Sequence, residues 1–584
     1  MPAPSHQKAP MESARSPALI AARRLPNAWD GLAALAVAGT LIALVHAARG
    51  TLAPLSGPAV TISLSPRHLP FYAIRTTLRM FAALAASLLF TFLYAPLAAK
   101  SRRVGALLVP LLDILQSVPI LSFLTFTVVF FMNLFPGRVL GAELAAIFAI
   151  FTSQAWNMTF SMYQSLVTIP SDLDEATRGF RLTPWQRFWR LEVPFSMPGL
   201  VWNTMMSMSG GWFFVVASEA ISVGNTSVSL PGIGSYVALA LERRDILAVF
   251  WAIATMLVVI LLYDQLLFRP LVAWSEKFKF ETTASDKPED PWVLALLRRT
   301  HLLRQGAEAL GAAFDRLAGL RLWRLRPRLR PMQALAQART ADYLWYAALG
   351  LGAAWCFWRI ATFAATTLHW SDLATTIRLG LFTLIRVMVL IALASLLWLP
   401  VGVYLGLRPN LARRAQPVAQ FLAAFPANLL FPPFVLLIVR YHLSANIWLT
   451  PLMILGTQWY ILFNVIAGAA AFPGDLREAA ANFRLRGWLW WRRVIIPGIL
   501  PYYVTGAITA SGGSWNAALV SEVASWGKTH LVADGLGAYI AQASAANDTP
   551  RLVLGTAIMS AFVLSINRLL WRPLYAYAQR RLTF

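Results

Sequence analysis

Residues 170–198 recur 303 positions further along the chain, at 473–501, with twelve of the 29 positions identical and no gap. Pro170, Asp172, Leu173, Glu175 and Ala176 fall on Pro473, Asp475, Leu476, Glu478 and Ala479. Phe180-Arg181-Leu182, Trp185, Arg190, Pro194 and Pro198 fall on Phe483-Arg484-Leu485, Trp488, Arg493, Pro497 and Pro501. The likeness runs on through Trp212 and Trp515, Ser218-Glu219 and Ser521-Glu522, and Gly232-x-Gly234-x-Tyr236 and Gly535-x-Gly537-x-Tyr539. Upstream, Thr76-Thr77-Leu-Arg79 resembles Thr375-Thr376-Ile-Arg378 at an offset of 299, while Pro119 meets Pro426 at 307. A chain that contains itself twice folds as two like halves.

The repeat is made of membrane material. Hydrophobic residues are 58% of the chain and charged ones 13%, whereas soluble domains carry about 45–50% and about 25%. Apolar runs of the roughly 20 residues needed to cross a bilayer lie at Trp29–Ala48, Phe71–Ala99, Gly105–Met132, Ala142–Gln164, Met197–Glu219 and Ala248–Phe268. Their partners are Tyr343–Thr362, Leu373–Gly406, Val418–Val439, Ile447–Ala470, Gly498–Glu522 and Leu552–Leu570. Six spans per copy, an even number, give both copies one orientation about a pseudo-two-fold axis along the membrane normal, with a pathway between them. The expected fold is an all-α membrane protein of two tandem six-helix domains at 28–270 and 343–572. A tail precedes them at 1–27, an Arg-rich linker joins them at 271–342, and a tail follows at 573–584. The first apolar run reads as a span and not a cleaved signal, because the second copy opens with an equivalent run.

The net charge of +24 is an orientation signal. With the N-terminus in the cytoplasm, 37 of the 50 Lys and Arg residues fall on the cytoplasmic side, as the positive-inside rule requires. No autonomous basic domain remains to bind nucleic acid. Within the linker, Trp292–Arg304 and Leu310–Arg330 suit either helices lying on the membrane surface or a solvated tether. A lone cysteine, Cys356, excludes disulfides and cysteine metal sites. A phosphate-binding loop needs Gly-x-x-x-x-Gly-Lys-Ser/Thr, and the nearest approach, Gly527-Lys528-Thr529, has Glu522 where the first glycine belongs. We therefore expect no catalytic residue, no metal and no cofactor in this chain, and an energy source outside it.

The strongest part of the repeat lies in the cytoplasmic loop after the fourth span of each half. Asp172 and Asp475 stand three residues before Glu175 and Glu478, the spacing of an N-cap with an acidic third position, which predicts a short helix in each loop. Gly179 and Asn482 are the expected ends of those helices, because both types tolerate a left-handed backbone. A second short helix then carries Trp185 or Trp488, and Pro194 or Pro497 launches the fifth span.

These loops resemble the EAA loop of the permease subunits of bacterial binding-protein-dependent ABC importers. Glu175-Ala176-Thr177 and Glu478-Ala479-Ala480, followed by Glu192-Val193-Pro194 and Ile495-Ile496-Pro497, are most similar to the nitrate, sulfonate, taurine and bicarbonate branch. The resemblance covers nearly the whole chain as two fused type I permease domains. It implies that the first helix of each loop docks into an ATPase subunit, with Glu175, Ala176, Gly179, Phe180, Arg181 and Trp185 acting beside Glu478, Ala479, Ala480, Asn482, Phe483, Arg484 and Trp488. It also implies ATP and Mg held by two partner ATPases, a periplasmic binding protein, a small anionic solute and an inner-membrane location with both termini cytoplasmic. Two departures stand out. Arg181 and Arg484 replace the usual glycine, which places the turn two residues upstream, and Thr177 replaces the second alanine.

Ionisable residues at membrane depth are candidates for the pathway. Arg75, Arg79, Arg378 and Arg386 enter the second spans, and Glu219 and Glu522 end the fifth. Thr76, Thr77 and Arg79, with Thr375, Thr376 and Arg378, offer an anion a cation beside hydroxyl donors, unless the arginines pair with the two glutamates or reach the outer head groups. Trp156, Asn157, Trp212 and Trp515 are polar-aromatic candidates for the seam. The expected function is that of a permease. The rivals are a twelve-span secondary transporter, which leaves the repeated loops unexplained, and a membrane scaffold without transport.

Overall fold

The computed structural model describes residues 62–116, 120–223, 226–278, 300–320, 343–352, 369–470, 474–526 and 529–582, with scattered positions elsewhere. The expected first span Trp29–Ala48 lies largely outside those residues, the tail 1–27 wholly so and the linker for the most part, whereas its counterpart Tyr343–Thr362 is helical over 343–352 and at further positions up to 362. Among the described residues, six helices are long and apolar enough to cross a membrane, and two bent helix pairs bring this to eight.

The second span shows how the helices pack. Along the helix Leu69–Lys100, the small residues Ala83, Ser87, Thr91 and Ala95 recur every fourth position and are fully buried. Leu89, Leu93 and Leu97 point outward and are more than half exposed. This is the arrangement expected in lipid, where small residues let backbones approach closely and the large ones meet acyl chains. Thr91 and Thr159 hydroxyls meet at 3.1 Å across the contact with the helix Val139–Val167.

Each third span, expected as one helix, is broken. In the first half Arg102–Leu115 and Ile120–Leu134 are separate helices. In the second, the helix ending at Ala424 and the pair Ala427–Leu430 and Phe431–Arg440 meet at 81°. In the second half the break falls at Phe425, extended at φ −70° and ψ 128° ahead of Pro426, whose ring pushes the preceding residue out of helical conformation. The second half's fourth span is bent as well: Ala445–Met453 and Gln458–Ala470 meet at 41°, around a segment containing Gly456. The first half keeps one helix of 29 residues there.

The fifth spans, Val193–Glu219 and Ile496–Ser521, are each preceded without interruption by a π-turn, Phe188–Glu192 or Trp491–Ile495, and by a short helix, Pro184–Arg187 or Gly487–Trp490. The widened turn accommodates Pro194 and Pro497, which cannot donate to the helix ladder. After each fifth span comes an antiparallel hairpin, Ala220–Val223 with Thr226–Ser229 or Val523–Trp526 with Thr529–Val532. Short helices Ile233–Glu242 and Leu536–Ala545 follow, and then the sixth-span helices Ile246–Tyr263 and Thr549–Ile566.

The halves interlock. Phe421, Ala424, Phe425 and Leu429 of the second half belong to the apolar core of the first. Phe213, Leu241 and Ile246 pack in turn against a cluster around Ala427, Phe431 and Val435.

Candidate functional site: twin loops and the seam between the halves

The loop helices run over Ser171–Gly179 and Gly474–Asn482, in the same register. Their start corrects the expected caps. Pro170 is the residue preceding the first helix and Asp172 lies within its first turn, where a negative charge meets the helix dipole. Their end corrects the expected turns. Gly179 and Asn482 remain helical, and the left-handed residues are Arg181 and Arg484, each at φ 52°. The Leu182 amide donates to the Thr177 carbonyl at 3.1 Å and that of Arg181 to Arg178 at 3.0 Å; Leu485 and Arg484 do the same to Ala480 and Ala481 at 3.0 and 2.9 Å. This paired pattern is a Schellman motif, which places its left-handed residue two beyond the last helical one. Thr177 is buried like Ala480 and turns its hydroxyl to the Asp174 carbonyl at 2.7 Å, so the departure from alanine costs no unpaired group.

The turns project the next side chains outward. Phe180 is 79% exposed and Phe483 78%, a near-identical aromatic knob on each half. Glu175, Ala176, Arg181, Glu478 and Arg484 are exposed beside them, and Ala479 is half-buried. Trp488 is exposed and Trp185 half-buried. Each knob sits one tight turn before a continuous helix that includes the fifth span, a single rod running from the loop to the seam.

At the other end of that rod, Glu219 accepts from Thr76 Oγ1 at 2.6 Å, Arg79 Nη1 at 2.7 Å and the Gly234 amide at 2.6 Å. Arg79 also pairs with Glu143 at 2.5 Å, and Arg75 with Glu143 at 2.5 Å. In the second half Glu522 accepts from Thr383 Oγ1 at 2.8 Å, Arg386 Nη1 at 3.1 Å and the Ala538 amide at 3.1 Å. A side chain on Gly232 or Gly535 would run into these carboxylates, and one on Gly234 or Gly537 into the backbone of the fifth span. The Ser-Glu…Gly-x-Gly repeat therefore encodes a buried latch between the second span, the fifth span and the short helix after the hairpin.

This geometry corrects the upstream alignment. The counterparts of Thr76 and Arg79 are Thr383 and Arg386, at the offset of 307 that Pro119 and Pro426 share, and not Thr376 and Arg378. Thr375 and Arg378 lie on the exposed face of the helix Trp370–Gly406, and Thr376 is buried with its hydroxyl on the Asp372 carbonyl. Thr77 is half-buried. Trp212 sits in the first core, edge-on to Tyr263.

A cavity of about 270 Å³ lies where the halves meet, and it takes in Trp156, Asn157, Ser207, Tyr460, Trp515 and Asn516. Among the described residues, no Asp, Glu, Lys or Arg lines it. Trp156 Nε1, Ser207 Oγ, Trp515 Nε1 and Trp571 Nε1 belong to lining residues and have no hydrogen-bond partner among the described residues. The Ile120 amide donates to Asn516 Oδ1 at 2.7 Å across the seam, and Trp202 stacks on Phe463.

The comparisons bear on both loops. The family described as binding-protein-dependent transport system inner membrane component matches residues 87–269 and again 398–583. The chain belongs to this family. It is similar to the bicarbonate transport system permease protein CmpB of Synechococcus elongatus, 26% identical over 41% of this chain and 76% of that protein. The nitrate import permease protein NrtB of Leptolyngbya laminosa is 24% identical over 32% of this chain and 62% of its own length. The glycine betaine/proline betaine transport system permease protein ProW of Escherichia coli is 28% identical over 25% of this chain and 37% of its own.

The permease thus holds two families of sites that sequence reading brought together as one. Trp156, Asn157 and Trp515 line the seam; Thr76, Arg79, Glu219 and Glu522 close the latches. Glu143 escaped notice, although an acid in the otherwise apolar first turns of the fourth span was signal enough.

Proposed function

We propose that this permease carries a small anion across the bacterial inner membrane, fed by a periplasmic binding protein and driven by two separate ATPase subunits that bind ATP and Mg. Both termini and the loops 170–198 and 473–501 then face the cytoplasm. The observation that carries the reading is the pair of Schellman-closed helices whose knobs, Phe180 and Phe483, stand exposed to matching degrees one tight turn before the continuous helices that run into the fifth spans. Glu175, Ala176, Phe180 and Arg181, with Glu478, Ala479, Phe483 and Arg484, are the docking residues. ATP-driven closure of the ATPase pair moves the loops, the rods turn, and the seam opens to one side or the other. The latches hold the outer ends of the second and fifth spans together so that they move as one.

An anion suits the seam for two reasons. The relatives named for bicarbonate and nitrate are permeases of that cargo. The cavity offers neutral donors and no carboxylate, which attracts an anion weakly enough to let it leave. The test is to purify the chain with its ATPase in nanodiscs and to measure hydrolysis and uptake with binding protein across an anion panel and glycine betaine. The reading expects uptake that needs ATP, and loss of ATPase retention in the Phe180→Ser/Phe483→Ser double variant. Uptake on an ion gradient without any ATPase would overturn it in favour of a secondary transporter.

A further inference from the structure

The two loops share a backbone but not a surface. Residues 170–198 carry four acidic and four basic side chains and are neutral; residues 473–501 carry two acidic and five basic ones, a net charge of +3. The first loop is also tied down. Arg187 Nη1 lies 2.5 Å from Asp174 Oδ1 and Arg187 Nε 3.2 Å from Glu192 Oε1, while Lys100 Nζ lies 2.7 Å from Glu192 Oε2. These pairs fix the loop's two helices to each other and to the end of the second span. The residues equivalent to Asp174, Arg187 and Glu192 are Arg477, Trp490 and Ile495, which cannot form them.

The linker adds a third difference. Its helix, His301–Gly319, lies against the first loop: Trp185 Nε1 donates to the Leu317 carbonyl at 2.8 Å and Gln186 Nε2 to that of Gly319 at 2.9 Å. The Phe314 ring meets Trp189 edge-on at 5.1 Å between centroids. In the second loop Leu489 and Arg492 stand in place of Gln186 and Trp189, and Trp488 is 72% exposed.

We propose that the helix His301–Gly319 is a built part of the first ATPase-docking surface, and that the two ATPase subunits therefore meet unequal surfaces. One is a braced, neutral composite of loop and linker. The other is an exposed basic loop, which fits an acidic patch on its subunit. The proposal rests on the docking reading above. A braced loop transmits motion stiffly, whereas a bare one can be drawn in or released, so the second half is the adjustable side of the engine. Attraction through net charge is screened by salt over about 10 Å at 0.1 M; contact through shape is screened far less.

The test uses the full chain with its ATPase in nanodiscs, in a Cys356→Ser background. Arg178→Cys and Ala481→Cys, at equivalent places in the two loops, are cross-linked to the ATPase with a short thiol-to-amine reagent at low and high salt. Raising the salt from about 50 to about 500 mM is expected to cut the yield at position 481 at least threefold more than that at position 178. Phe314→Ala with Trp185→Phe is expected to lower the yield at 178 severalfold and leave 481 unchanged. Equal salt responses at the two positions, or an unchanged 178 yield in the linker variant, would overturn the proposal while leaving the docking reading intact. No cross-link at either position in any condition would sink both.

Discussion

At the scale of single residues, the most informative positions are those where an unsuitable residue is held in place. Arg181 and Arg484 occupy a left-handed backbone that costs a side-chain-bearing residue about 1 kcal/mol or more. Arg181→Gly and Arg484→Gly are therefore expected to tighten the turns, slowing amide exchange at Leu182 and Leu485 about fivefold for about 1 kcal/mol. If ATPase retention falls despite firmer turns, the guanidinium groups themselves make the contact. The latches predict a graded loss. Glu219→Gln leaves Arg79 with Glu143, and Glu522→Gln leaves Arg386, 13% exposed, with only Asn446. Gly232→Ala displaces a carboxylate that sits among three donors, and breaking such a buried pair costs about 3–5 kcal/mol. Thermal unfolding in detergent should rank Gly232→Ala below Glu219→Gln, and a melting temperature equal to that of the parent chain would refute the latch. None of this was hidden chemically. The glycines and glutamates were conspicuous in the repeat, but their meeting required the fold, because Glu219 and Gly232 are separated by a hairpin that bends the chain back on itself.

At the scale of elements, the rod matters more than the loop helix. In the proposed mechanism the helix that passes through a π-turn into the fifth span couples the knob to the seam, so insertion of two glycines after Arg190 and after Arg493 should uncouple them. Hydrolysis should continue while uptake falls by about tenfold or more, the range that coupling free energies of 1–3 kcal/mol command. Equal loss of both activities would mean that the insertion damages docking instead. Sequence patterning located the long helices well, because roughly 20 apolar residues in lipid admit few alternatives. It failed at the third spans, where hydropathy ran unbroken across Pro119 and Pro426 and length alone suggested one helix. It also misplaced the loop turns by two residues. Gly179 looked like the natural terminator, yet the pairing of Leu182 with Thr177 puts the left-handed position at an arginine. The 299-residue offset erred for a similar reason: a Thr-Thr-x-Arg likeness outweighed the single proline pair that carried the true register.

At the scale of the molecule, the seam and the interlock are the two features that neither half builds alone. Asn157→Asp and Asn516→Asp would place negative charge on a lining that has none among the described residues; Asn516→Asp keeps the acceptor for the Ile120 amide. Like-charge repulsion costs several kcal/mol in a confined site, so anion uptake should drop tenfold or more while ATPase retention is unchanged. Unaltered uptake would move the anion route away from this cavity. The duplication and the membrane class were legible from the chain because both are one-dimensional properties. The cavity was not, since its walls come from helices of both halves whose contributions no single window of sequence contains. The interlock also has a consequence for biogenesis. Phe421, Ala424, Phe425 and Leu429 complete the core of the first half, and Leu429 is synthesised 151 residues after Phe278. At about 5–20 residues per second the ribosome needs roughly 8 to 30 s to cover that distance. For that interval the first half sits in the membrane with an open flank that only its own sister can close.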